Sequence, residues 1–490
     1  MLKDFYDCER ELLNYHLEEE IFSPRNSFKN LTFDTFHEVK SNPNIHGIEL
    51  IVRPECNQNC EYCYIARHGK DLYPLEERAS REQILNNLQI LLDYIFNERE
   101  IYIRHFELFA GDLFYDDLFF DVLDVFYKIL KPKKDIYPAI FANNQGLILT
   151  PCNFSFIDND EQVQRFEEYV ARFRKELNWD IGMSVSTDGK YATDTREGYE
   201  VPDEHFQKLF EFTLRHPRVG FHPILSASNI EHAIKNYDWW KEQYAHYYKD
   251  DATKDFLPYW LEARNDDWDE NSIAKFIELL DHMIVSRFEM CENDIDKFAY
   301  HLLCGDGKHG TLRKMHHGDL LNIRPLSDRS AEASPCSLSG LACITLNNLS
   351  FVPCHRLTYK QFRGGSFEVK DGKIVGVIPY NPGALLNITM MPIDSAPMCV
   401  NCVFKPVCHK GCCGAQFEAS GEVFQPCLSV CQLLREMFGF MIAKFEDMGV
   451  FDSAKKQGIV SSHMLDTYYT IARYYGDMVR ERDNFGKEFA

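Results

Sequence analysis

Apolar residues in the first half of the chain recur in two alternating rhythms. Short β-branched runs, such as "GIELIVRP" at residues 47–54, read as strands. Between them apolar positions return every three or four residues, as at Leu88, Leu91, Leu92 and Ile95, which share one helix face. Further strands are predicted at "YIRHFELFAGD", "DIYPAIFANN", "DIGMSVSTDG", "VGFHPILSASN" and "YWLEARN". Helices are predicted at "LFFDVLDVFYKIL" and "VQRFEEYVARFRKEL". Six strand–helix units in alternation imply an α/β protein with a parallel sheet, either open and doubly wound or a partial barrel. In both, chemistry sits at the carboxyl ends of the strands. The loop after the first strand would lie there.

The rhythm divides the chain. Residues 1–46 read as a helical N-terminal extension, and residues 47–304 hold the alternating units. Residues 305–335 are rich in Gly, Ser, Asp and Pro and read as a bridging segment. Residues 336–435 carry short strands and ten of the seventeen cysteines, and residues 436–490 are helical again.

Composition narrows the function. An aromatic content of 14% argues for a folded, globular chain. A formal charge of −22 speaks against nucleic acid or an anionic membrane as partner, since both need a basic face. The first twenty residues lack an apolar run, and no stretch is long and apolar enough to span a bilayer. A cytoplasmic location is therefore expected. In a reducing compartment seventeen cysteines call for metal binding rather than a disulfide framework.

The stretch "RPECNQNCEYCYIARHG" brings Cys56, Cys60 and Cys63 onto one short loop. A tetrahedral zinc site would need a fourth ligand, for which His68 is the near candidate. Three thiolates also suit a [4Fe–4S] cluster with one iron left open for a further ligand.

The loop resembles the CxxxCxxC signature of the radical S-adenosylmethionine (SAM) enzymes, with Tyr62 as the aromatic residue before the third cysteine. The resemblance implies a partial (β/α)6 barrel of the TIM type. It implies an open iron that chelates SAM, whose reductive cleavage yields a 5′-deoxyadenosyl radical that abstracts a substrate hydrogen. "LFAGD" resembles the family's Gly-Gly-Glu motif, with Ala110 for the first glycine, Gly111 kept, and Asp112 in place of the glutamate that holds the SAM amino group. "SVSTDGKYATDTR" is similar to a further family segment. It would bring Ser186 to the ribose and Arg196 to the SAM carboxylate, with Asp188 and Gly189 shaping the turn. Asn143, Glu262 and Arg264 are expected at strand ends lining the pocket.

The second cysteine field resembles the SPASM extension of the same family, an α+β module with two auxiliary [4Fe–4S] clusters. Carried over by position, Cys336, Cys343, Cys354 and Cys412 would hold one cluster, and Cys399, Cys402, Cys408 and Cys431 the other. Eight thiolates would also satisfy two zinc ribbons. Leu349 stands where the family has a glycine, so that turn is expected to be built differently. Cys427 competes with Cys431 for the last ligand position, and Cys413 is surplus. Cys8, Cys152, Cys291 and Cys304 read as small buried hydrophobes.

Enzymes of this kind mostly modify ribosomally made peptides or proteins. The expected activity is a crosslink or oxidised side chain in such a peptide, with an electron donor of the flavodoxin or ferredoxin class. The short extension before Gly47 implies a separate leader-recognition protein or direct surface binding. The alternatives are a sulfatase-maturase-like oxidase of a protein Cys or Ser, and a small-molecule radical SAM dehydrogenase. In the former, His355 takes the place of the family's catalytic Asp.

Overall fold

The computed structural model describes residues 47–193, 196, 201–248, 260–261, 268–303, 320–321, 323, 341–384, 388, 397–408, 412–423 and 425–488. The expected N-terminal extension, nearly all of the bridging segment, and Cys8, Cys304, Cys336, Glu262 and Arg264 lie outside the described residues. The chain divides into two compact units. The first takes in Met1–Thr187, Pro202–Phe221 and Cys336–Met391, and the second the remainder.

A nine-stranded sheet organises the first unit, which is mixed α/β. Five strands follow in chain order, β1 (Gly47–Arg53), β2 (His105–Ala110), β3 (Gly146–Asn153), β4 (Trp179–Ser186) and β5 (Val219–Phe221). They lie side by side and parallel. On the other flank β1 pairs in parallel with β8 (Leu341–Thr345). The sheet then turns antiparallel through β9 (Ser350–Val352), β10 (Gly365–Lys370) and β11 (Lys373–Pro379). The near-continuous apolar run of β1 follows from this position, because all seven of its residues are buried. The two-stranded sheet of β6 (Ile224–Leu225) and β7 (Trp260–Leu261) belongs to the second unit.

Helices begin and end where the sequence supplies caps. Ser80 and Gln83 form a capping box at the start of a helix over Arg81–Asp93. Asn159 caps a helix over Asp160–Leu177, which Asn178 ends in the left-handed conformation.

One expected strand is a helix. "DIYPAIFANN" continues a helix over Leu118–Ile136 and then forms a short one over Pro138–Asn143. Pro138 opens that second helix, where its missing N–H costs nothing. The third strand comes immediately afterwards, and its alternating burial over Gly146–Thr150 has the strand period. "VGFHPILSASN" is split into β5 and β6, with Pro223 between them.

Contrary to the expectation of a differently built turn, Leu349 has φ +55°, in the left-handed region that favours glycine. Leu349 donates its N–H to Thr345 and accepts from Phe367 through its carbonyl, so the neighbouring strands impose the left-handed geometry. Its side chain is buried. Leu349→Gly relieves about 1–2 kcal/mol of strain and forfeits about 2–5 kcal/mol of core burial. A net loss of about 1–3 kcal/mol is expected in urea denaturation; a variant more stable than the parent would mean that strain dominates.

The second unit is helical. Its core is built around a helix over Leu428–Asp447, whose Leu433, Met437, Phe438, Met441 and Phe445 are buried. This helix packs with one over Glu270–Met290 and one over Ser462–Glu488. Gly439 permits the close crossing with the last of these, since a Cβ there would sit 2.1 Å from the Tyr475 ring.

Candidate functional site

The cysteine loop leaves β1 at Arg53, whose buried guanidinium is gripped by Asp116, with Nη1 donating to Oδ2 at 2.7 Å. The end of β2 runs alongside the start of the loop. Gly111 donates to the Arg53 carbonyl at 2.9 Å and Asp112 to the Glu55 carbonyl at 2.8 Å. Only glycine fits at 111, because a Cβ would lie 2.2 Å from the Glu55 oxygen and 2.3 Å from that of Pro54. At the far end Cys63 donates to Cys60 at 3.0 Å and begins a helix over Tyr64–Leu72. Tyr62 is buried, whereas Cys56 reaches the surface and Cys60 and Cys63 are partly exposed. Partial desolvation pushes the Cys56 thiol up against a hydrogen bond from the Gln58 N–H, and the charges of Asp112 and Cys63 add to the shift.

Asp112 is turned inward. Its Oδ1 accepts from the Phe114 N–H at 2.8 Å and its Oδ2 from the Asn153 N–H at 3.4 Å. Burial outweighs these bonds and the Arg53 charge, so the carboxyl is pushed up to about 6. A raised pKa means that the unfolded chain releases its proton first, so this group costs stability as pH climbs from about 4 to 6. Asp112→Asn keeps an acceptor for Phe114 and removes the charge. It should gain about 3 kcal/mol over the parent at pH 8 and little at pH 4. Equal gains at both values would refute the buried-charge account.

Next along the same edge of the sheet, Asn153 closes β3. Its side chain bonds the Asn57 amide oxygen and caps Ser155. Ser186, at the end of β4, is in register with Asn153. The cysteine loop, Asp112, Asn153 and Ser186 thus follow the carboxyl ends of β1, β2, β3 and β4. Asn143 does not join them, being exposed on the helix that precedes β3. Asn153 occupies the strand-end position expected for Asn143, because the strand runs over Gly146–Asn153 and Pro138–Asn143 is helical.

A second buried group lies in this unit. Glu49, in the middle of β1, is 0% exposed. Its Oε1 accepts from the His355 N–H and meets His355 Nδ1, both at 3.0 Å. Burial alone would raise this carboxyl, but the His355 charge and hydrogen bonds, with the Cys343 thiol, hold it below the usual range. The His355 ring lies flat on Phe109, with centroids 3.8 Å apart, and is 5.9 Å from the Tyr64 ring that follows Cys63. Glu49 had one visible signal, a lone carboxylate inside an apolar strand.

In the second unit Asp188 accepts from the Ile224 N–H at 2.9 Å, and its carboxylate lies 3.9 Å from the buried Arg196 guanidinium. Gly189 has φ +103°, and a Cβ there would stand 2.8 Å from the Asn236 Oδ1 and Trp240 Nε1 atoms. Asp188 and Gly189 do shape the turn. In the same unit Cys399, Cys402, Cys408, Cys412, Cys427 and Cys431 all line one cavity of about 50 Å³, several times the space one water needs. Phe404, Ala415, Val430 and Leu434 complete much of its wall. Cys427 is the less exposed of the two candidates for the last ligand, and its Sγ lies 3.2 Å from Ser429 Oγ. Cys343 and Cys354 belong to the first unit. Cys413, Cys152 and Cys291 are buried. Among the described residues, no three His, Cys, Asp or Glu side chains converge on a point that could hold a single metal ion.

Fold and site together define a mixed α/β protein whose mostly parallel sheet carries a three-thiol loop at its carboxyl edge, with a separate thiol-lined cavity in its helical unit. No family model matches the chain, and no curated protein matches it at a significant level. No helix among the described residues is long and apolar enough to cross a membrane.

Proposed function

We propose that the chain is a radical SAM enzyme with auxiliary iron–sulfur clusters that modifies a peptide or protein side chain. The observation that carries this reading is the three-thiol loop, held by backbone hydrogen bonds at the carboxyl end of β1 in a row of parallel strands. Supporting it is the cavity walled by six thiols, whose donors suit iron–sulfur ligation and whose remaining wall is largely apolar. When bound at Cys56, Cys60 and Cys63, a [4Fe–4S] cluster supplies the electron that cleaves SAM. The chain's own part is placement. Gly111 lets the AGD strand end lie against the loop, and Asp112 ties the loop to the end of β3. Ser186 offers a hydroxyl at the next strand end. The partial barrel, the SPASM assignment, the peptide substrate, a leader-recognition partner and a flavodoxin- or ferredoxin-class donor belong to the same proposal.

Anaerobic reconstitution tests it. About twelve irons per chain with matching sulfide, and deoxyadenosine released from SAM under dithionite, are expected for three clusters. Stoichiometric zinc without SAM cleavage would end the enzyme reading.

A further inference from the structure

Arg435 stands one helical turn beyond Cys431 and lines the same six-thiol cavity. Residues four apart on a helix are neighbours on one face, so the guanidinium and the thiol share a side of the Leu428–Asp447 helix. Other groups fix its position. The guanidinium carbon lies 5.9 Å from the centre of the Phe404 ring, itself part of the cavity wall. Nη2 donates to the Tyr474 hydroxyl at 3.2 Å and toward the Met478 sulfur at 3.7 Å. Tyr474 in turn packs edge-on against Phe404, with centroids 5.8 Å apart.

None of these partners carries negative charge. Among the described residues no carboxylate pairs with Arg435, although the chain holds 75 acidic residues against 53 basic ones. A guanidinium is permanently charged, and this half-buried one is held by two aromatic rings and a thioether, none of which is an anion. The groups that would become anionic in its neighbourhood are the cavity thiols, which ligate as thiolates.

We propose that Arg435 is the counter-cation of the thiolate set in this cavity and a determinant of the reduction potential of the cluster held there. The inference rests on the iron–sulfur reading of that cavity. A fixed cation beside a cluster favours the more negative, reduced form, so it raises the potential. Arg435 is half-buried, so solvent screens its charge in part and the effect falls between that of a surface charge and that of a buried one.

The test uses the full chain, reconstituted with iron and sulfide, as the parent and as Arg435→Gln and Arg435→Lys. Iron per chain is measured for each, and potentials come from dithionite titration followed by electron paramagnetic resonance. Arg435→Gln is expected to keep its iron and shift one cluster signal to more negative potential, leaving the other signals in place. Arg435→Lys, which keeps the charge, should recover most of that shift. Loss of about four irons from the Gln variant but not from the Lys variant would also support the proposal, by showing that the thiolates need the charge. Full iron with unmoved potentials in the Gln variant would overturn it while leaving the cluster reading intact. Iron lost equally from both variants, each with a native far-ultraviolet spectrum, would make Arg435 a packing residue and overturn it too. A parent chain without iron in this cavity would remove the cluster reading itself, and the proposal with it.

Discussion

Replacing Cys56, Cys60 and Cys63 together with Ala should remove about four irons per chain and abolish deoxyadenosine formation from SAM. The fold should survive the change. Cys56 is exposed and its two companions are partly so, which means that little apolar burial is lost. The path of the loop is set elsewhere, by the Gly111 and Asp112 N–H groups on the Arg53 and Glu55 carbonyls. Iron bound in the six-thiol cavity should be unaffected, because none of its lining residues comes from this loop. Iron analysis of parent and variant, with product detection by chromatography, decides the matter. Deoxyadenosine formed at the parental rate would sink the proposed role of the loop.

The second large effect concerns stability. His355→Ala leaves the Glu49 carboxylate fully buried, with a backbone N–H as its one remaining partner from residue 355. Breaking a buried pair from one side costs about 3–5 kcal/mol, because the remaining charge is uncompensated. The pH dependence carries the sign of the effect. In the parent the Glu49 carboxyl is held below its ordinary value of 4.5, so its contribution is present above that value and is lost on acidification. Without His355, burial acts unopposed and raises the carboxyl. The variant should then lose stability as pH rises through the raised value. Urea denaturation at pH 4.5 and 7.5 would show the deficit growing with pH. A deficit below about 1 kcal/mol at pH 7.5 would mean that the Glu49–His355 pair carries no weight. His355→Gln, which can still donate to Glu49, should recover part of the loss.

This pair bears on the role expected of His355. Nδ1 is engaged by Glu49 and the ring face by Phe109, so at least part of what the residue does is hold β1 to the segment that follows Cys354. Similarly, both carboxylate oxygens of Asp112 accept backbone N–H groups, which gives the AGD segment a structural task whatever it binds.

Much of this protein was legible in local pattern. An apolar β-branched run marked β1, three-and-four spacing marked the helix over Arg81–Asp93, and cysteine spacing marked both thiol clusters. These signals survive because backbone periodicity and turn chemistry act over a few residues. The region around Asn143 was misread for the same reason. A short apolar run fits a helix or a strand equally well, and only pairing with β2 and β4 selects Gly146–Asn153 as the strand. The left-handed turn at Leu349 was likewise imposed by its strand partners against the preference of the residue. Spacing could not show that Cys427 and Cys431 would both face one cavity, nor that Arg435 would join them without an acidic partner among the described residues. Glu49 is the plainest case. Its presence in an apolar strand is visible to any reader of the chain, but its partner is 306 residues away. A buried carboxylate persists because of what satisfies it, and that partner is chosen by the packing of β8 against β1, which no local pattern encodes.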